Sequence, residues 1–252
     1  MPVFLAEPCT AAFVPSNNIT LERDGMTWDY QDQITGNEAV ISRNFIDLQA
    51  GNGDKFVNAW EILKAETYFR NKMKESVETA PDVKLNGTSE PVKVTDVDFW
   101  ISKEALGKVE KNSSITNFAS VSYVFEKELG QSTDIWLMGT PNSNVTVNLP
   151  AGFDVERTDG LGNKSQEVGN NSTVLKGSFG PGKNITLWIS ENESSTELQK
   201  EESAGQDAEN KSKEGENKTG AVGEATEATK SSGFFKDIFI WFHQIVQKVN
   251  LV

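Results

Sequence analysis

Residues 50–64 read AGNGDKFVNAWEILK and carry side-chain oxygens at alternating positions: Asn52, Asp54, Asn58 and then Glu61. Twelve-position calcium loops use oxygens at positions 1, 3, 5, 7, 9 and 12, with glycine at 6. With Ala50 at position 1, Asn52, Asp54, the Phe56 carbonyl, Asn58 and Glu61 fall on 3, 5, 7, 9 and 12, and Val57 falls on 8, where an aliphatic side chain packs the loop. Two departures weaken the pattern. Ala50 has no side-chain ligand, and Lys55 stands where glycine would allow φ > 0 and adds a cation. One carboxylate lost and one ammonium gained predict millimolar calcium affinity at best. The loop therefore reads either as a weak calcium site, with Asp47 a candidate substitute ligand, or as a metal-free turn that keeps the backbone, and the charge balance favours the turn.

The run NGDKFVNAWE resembles the calcium loop of dockerin modules, including the Val-Asn-Ala that opens the following helix. The resemblance covers about twelve residues and implies an EF-hand-type loop. Dockerins carry two copies; this chain has one.

Other reactive groups are few. The chain has one histidine, His243, and one cysteine, Cys9. No intrachain disulfide can form, and no His-dependent triad or His-rich zinc site can form without His243. The acids Asp96 and Asp98 of TDVDFW lie on one side of an alternating stretch, in a chain with 37 acidic and 24 basic side chains. Such acids read as a solvated face, so a carboxylate-pair glycosidase is the third reading and a non-enzyme the first. A net charge of −13 argues against a nucleic-acid partner. DGLGN lies between strands with no helix after it, so it offers no phosphate site. No cofactor is expected beyond weak Ca²⁺, and nothing sets an oligomeric state.

Asparagine is more informative. Eleven residues sit in Asn-x-Ser/Thr sequons: Asn18, Asn86, Asn112, Asn144, Asn163, Asn170, Asn171, Asn184, Asn192, Asn210 and Asn217. Random placement of 21 Asn and 40 Ser plus Thr in 252 residues gives about 3. The excess predicts N-glycosylation and export from the cytosol. The first fifteen residues fit export in part. Val3, Phe4 and Leu5 precede the small residues Thr10, Ala11 and Ala12, but a basic start and a full apolar run are missing. Residues 1–15 read as a signal-peptide remnant cleaved near Ala12, or as a loose arm. Glu7-Pro8 makes Cys9 a poor lipid-anchor context.

These groups need elements to hold them. Residues 18–30 alternate around the turn signal Asp24-Gly25 and predict a short hairpin or strand. Val40, Ile41, Phe45 and Leu48 recur at helical spacing over 36–48. A second helix over 57–78 places Ile62, Ala65, Phe69, Met73 and Val77 on one stripe, ended by Pro81. From about residue 90, short strands bounded by Gly, Pro or Asn follow: PVKVTDVDFWI, NFASVSYVFEKE, TDIWLMG, SNVTVNLP, FDVERT, STVLKGSF and KNITLWIS. They predict an α+β fold. Its main body is an antiparallel, immunoglobulin-like β-sandwich of about 7 strands over residues 83–190, preceded by a strand and a helix–loop–helix unit over 16–82.

Residues 191–232 contain no aromatic side chain, and their 11 acids and 5 lysines predict a disordered acidic linker. At about 40 residues it would span roughly 30–40 Å on average. Over residues 233–252, Phe234, Ile238, Trp241, Ile245 and Val249 form one helical row, and Phe235, Phe239, Phe242 and Val246 the row beside it. Lys236, Asp237, His243 and Lys248 interrupt the apolar run that spanning needs. An amphipathic helix that lies in a membrane interface or docks in a protein groove is the expectation.

The stretches LERDGMTWDYQDQITGNEAV, PDVKLNGTSEPVKVTDVDFWISKEALGKV, ITNFASVSYVF and NVTVNLPAGFDVERTDGLGN resemble a group of secreted, glycosylated cell-surface proteins of methanogenic archaea over residues 18–195. That group has no assigned activity, so the resemblance implies location and fold only. The sequence thus predicts a non-enzymatic, extracytoplasmic, N-glycosylated, envelope-associated protein tethered through its C-terminal helix. A calcium-dependent binding or adhesion module using residues 50–61 is the alternative.

Overall fold

Alternation of buried and exposed side chains builds most of this molecule. The computed structural model describes residues 15–130, 132–169 and 172–191. In chain order these form β1 Ser16–Leu21, β2 Gly25–Ile34, α1 Gly36–Gln49, β3 Phe56–Val57, α2 Ala59–Thr79, β4 Val83–Leu85 and β5 Val92–Ile101. Then come a 3₁₀ turn Lys103–Ala105, β6 Gly107–Lys108, β7 Ile115–Phe125, β8 Thr133–Met138, β9 Asn144–Asn148, β10 Phe153–Asp159, β11 Leu161–Val168, β12 Thr173–Phe179 and β13 Asn184–Glu191.

The strands form a sheet-rich α+β sandwich. A seven-stranded sheet runs β11-β12-β9-β1-β2-β7-β5 and a four-stranded sheet runs β10-β13-β8-β4. The larger sheet is mixed, because β1 and β9 pair in parallel, where antiparallel pairing was expected throughout. The expected division at residue 82/83 is bridged as well. β1 and β2, from the first forty residues, occupy the middle of the seven-stranded sheet and share one core with the later strands. Strand order is set by burial across the whole chain, and a local pattern does not report it.

Inward side chains are apolar on both sheets. Ile19, Trp28, Val121 and Val147 line the larger sheet, and Ile135, Leu137, Ile185, Leu187 and Ile189 the smaller; all are buried. The Asp24-Gly25 turn closes the β1–β2 hairpin. A Cβ at Gly25 would lie 2.5 Å from the Tyr123 carbonyl, so the strand approach demands glycine.

The α2 stripe Ile62, Ala65, Phe69, Met73 and Val77 is buried as predicted, with Phe69 5.1 Å from Phe99 of β5 and 5.8 Å from Phe45 of α1. Full burial of a large apolar side chain contributes about 1.5–3 kcal/mol, so this stripe fixes α2 on the sheet. The α1 face is rotated from expectation. Ala39, Ser42, Arg43, Phe45, Ile46 and Asp47 are buried, while Leu48 is exposed. The displaced register follows Arg43, whose guanidinium is drawn inward.

Side chains on the outer face of the seven-stranded sheet are exposed or half-buried, and Arg70 of α2 reaches its β5 edge to pair with Asp98. Registered across this face, Asn18, Asp29, Ser120 and Asp98 form one row, and Ser16, Gln31, Phe118 and Trp100 the next. Ser120 Oγ donates to Asp29 Oδ1 at 2.7 Å, and the rings of Trp100 and Phe118 stack at 5.8 Å. Strand β11 was not predicted. Nearly every side chain along it is exposed, so it lacks the alternation that marks a half-buried strand.

Candidate functional site

The loop after α1 is built from short-range backbone demands. Ala50 caps α1 by donating its N–H to the Ile46 carbonyl. At Gly51 a Cβ would fall 2.5 Å from both the Asp47 carbonyl and Glu61 Oε1. Gly53 takes φ 74° and Lys55 takes φ 67°. The left-handed turn that glycine usually provides at position 6 is therefore made here by lysine, at a conformational cost.

Side-chain oxygens tie the loop to itself. Asn52 Oδ1 accepts from the Asp54 N–H at 3.1 Å, and Asp54 Oδ1 from the Phe56 N–H at 2.9 Å. Asp47 Oδ2 accepts from the Lys55 N–H at 3.0 Å. Asn58 Oδ1 accepts from Trp60 and Glu61 N–H groups while Glu61 Oε2 accepts from the Asn58 N–H, a reciprocal capping box that starts α2. Asn58, expected as a ligand, thus serves the helix N-terminus. Val57 is wholly buried, and β3 pairs with β6 to brace the loop.

Two carboxylates are buried here, Asp47 at 1% exposure and Glu61 at 3%, and Asp47 Oδ1 has no hydrogen-bond partner. That orphan oxygen fits a role in place of the ligand missing at Ala50, together with Asn52, Asp54, the Phe56 carbonyl and Glu61. Against it stands Lys64, whose Nζ donates to the Ala50 carbonyl at 2.8 Å and brings an ammonium to the same side. Among the described residues, no three His, Cys, Asp or Glu side chains group in a metal-binding arrangement.

Six sequon asparagines lie in the described residues: Asn18, Asn86, Asn112, Asn144 and Asn163 are exposed and Asn184 is half-buried. Asn170, Asn171, Asn192, Asn210 and Asn217 lie outside the described residues.

 By contrast Asn17 and Asn117, which lie outside sequons, are buried. Asn17 donates to Ser143 Oγ and accepts from Trp28 Nε1. The apolar rows from Phe234 to Val249 lie outside the described residues.

Asp96 and Asp98 are exposed on the outer face, and Asp98 pairs with Arg70 at 3.2 Å. Three buried polar groups gave no local sequence signal. Arg43 is wholly buried among backbone carbonyls. Asp82 is wholly buried and accepts from Tyr123 Oη at 2.9 Å, and burial pushes its carboxyl up to about 7. Asp32 is raised to about 6, again by burial. A cleft of about 310 Å³ beside Tyr123 is lined by Val77, Pro81, Val83, Val92 and Val94, with Glu78 and Lys93 among them. Among the described residues, no helix is long and apolar enough to cross a membrane.

The fold defines a two-sheet α+β sandwich with a helical unit on one flank. Neither a protein-family model nor a curated protein matches the sequence.

Proposed function

We propose that this chain is a non-enzymatic, N-glycosylated protein displayed outside the cytosol, held through residues 234–249 at a membrane interface or in a protein groove. The observation that carries the reading is the split among asparagines. Every described sequon asparagine reaches solvent at least in part, while the buried Asn17 and Asn117 belong to no sequon. A sugar on a buried amide would break the core, so this distribution is the one that glycosylation requires. Mass spectrometry of peptides from the native source tests it. Added sugar masses are expected at Asn18, Asn86, Asn112, Asn144 and Asn163, and bare peptides at all of them would reject it. Removal of residues 233–252 is expected to abolish binding to lipid vesicles if the interface holds the protein.

A second reading, a calcium-dependent binding module, is favoured by the buried, unpartnered Asp47 Oδ1 inside the loop. Calorimetric titration with millimolar Ca²⁺ tests it. Heat that disappears in Asp47→Asn supports the module, and no heat with no rise in melting temperature removes it.

A further inference from the structure

The outer face of the seven-stranded sheet places an aromatic pair near a sugar acceptor. Trp100 is 43% exposed and stacks on Phe118 with 14° between the rings. Among the described residues, this exposed indole leaves apolar surface in water. Asn18 lies on the same face, since it pairs with Asp29, Asp29 with Ser120, and Ser120 with Asp98, one row from Gln31, Phe118 and Trp100. Phe118 is thus two strands across and two residues along from Asn18. Strand spacing and rise make that separation about 12 Å, and about 16 Å to Trp100. Asn18 Oδ1 accepts from Asn148 Nδ2 at 3.0 Å, and no hydrogen bond from Asn18 Nδ2 occurs among the described residues. The sheet therefore holds this side chain by its oxygen, while a glycan attaches through nitrogen.

We propose that an N-linked glycan on Asn18 lies along this face and packs one of its first sugar rings on the Trp100–Phe118 pair. This rests on the glycosylation reading above. The chemistry suits the occupant. The C–H face of a pyranose packs on an aromatic ring, and Gln31, Asp29 and Ser120 on the path offer partners to sugar hydroxyls. A two-sugar core on an extended asparagine reaches the distance that the register sets. The glycan covers the exposed indole, and the sheet in turn orders the glycan.

The test is a thermal-unfolding cycle on the full glycosylated chain with Asn18→Gln, Trp100→Ala and both together. Both changes are at the surface, so the variants are expected to fold. Asn18→Gln is expected to lower the melting temperature by about 2–4 °C in the parent and to have no effect in the Trp100→Ala background. Any loss of Trp100–Phe118 stacking is common to both arms and cancels. Asn163→Gln, on β11 at the far edge of the sheet, serves as control and is expected to add to Trp100→Ala. Additive effects of Asn18→Gln and Trp100→Ala, with the glycan confirmed by mass spectrometry, overturn the packing while leaving glycosylation intact. A bare Asn18 overturns the packing too, and the wider reading stands or falls on the other sequons.

Discussion

Two buried charged groups in this protein are treated in opposite ways. Arg43 is fully enclosed, yet its guanidinium meets the carbonyls of Ala39, Glu104, Ala105, Lys111 and Ser113 and the Ser113 hydroxyl. Five rigid donors find an acceptor each, without a carboxylate. Asp82 is equally enclosed but has one donor, Tyr123 Oη, for Oδ1 and none for Oδ2. The difference teaches that burial is tolerated when the donor geometry matches the surrounding carbonyls. Where it does not match, burial pushes the carboxyl up to about 7. Arg43 also does mechanical work. It anchors the connection between β5 and β7, which carries β6, and β6 pairs with β3 of the candidate loop.

The largest expected effect breaks the satisfied side. Arg43→Met removes every donor from a ring of buried carbonyls and should cost on the order of 4 kcal/mol in urea unfolding, with Arg43→Lys recovering little of it. Unchanged stability in Arg43→Met would mean that water or a rearranged loop replaces the cation. The unsatisfied side predicts a pH effect. In the folded chain Asp82 holds its proton to about 7 and Asp32 to about 6, while in the unfolded chain both ionise near 4. Their stabilisation is full below pH 4 and is lost as pH rises through 6–7. Stability should therefore fall between about pH 4 and 7, and Asp82→Asn should flatten that fall by roughly 4 kcal/mol. A steeper fall in Asp82→Asn would refute the assignment. Tyr123→Phe takes away the one donor Asp82 has and should cost about 1–2 kcal/mol. Lys55→Gly is expected to have the smallest effect, a gain of about 0.5–1 kcal/mol as the left-handed backbone is relieved, read in the same unfolding assay.

Legibility followed the range of the interactions. The α2 stripe and the alternation of β13 are local patterns, and the structure keeps them; Asn58 and Glu61, read as loop ligands, form the capping box of α2. The left-handed demand at position 6 was legible too, since it is imposed by one residue's backbone, whichever side chain fills it. Strand β11 was hidden because an edge strand with both faces in solvent carries no hydrophobic period. The α1 face was misread because Arg43 is buried among backbone carbonyls, and a periodic reading assigns an arginine to solvent. All its acceptors but the Ala39 carbonyl lie more than sixty residues away along the chain. Asp47 was suggested only as a candidate ligand, and no local pattern reported that it is buried with Oδ1 unpartnered.

By itself the sequence determined the α+β content, the helix–loop–helix unit, the strand alternation and the positions of the Asn-x-Ser/Thr sequons, because each depends on residues within a few positions of one another. Only the tertiary structure decided that β1 joins β9 in parallel, that the first hairpin lies at the centre of the larger sheet, and that Asn18 shares a face with Trp100. Those relations follow from how one chain buries its apolar surface as a whole, and no local window contains that information.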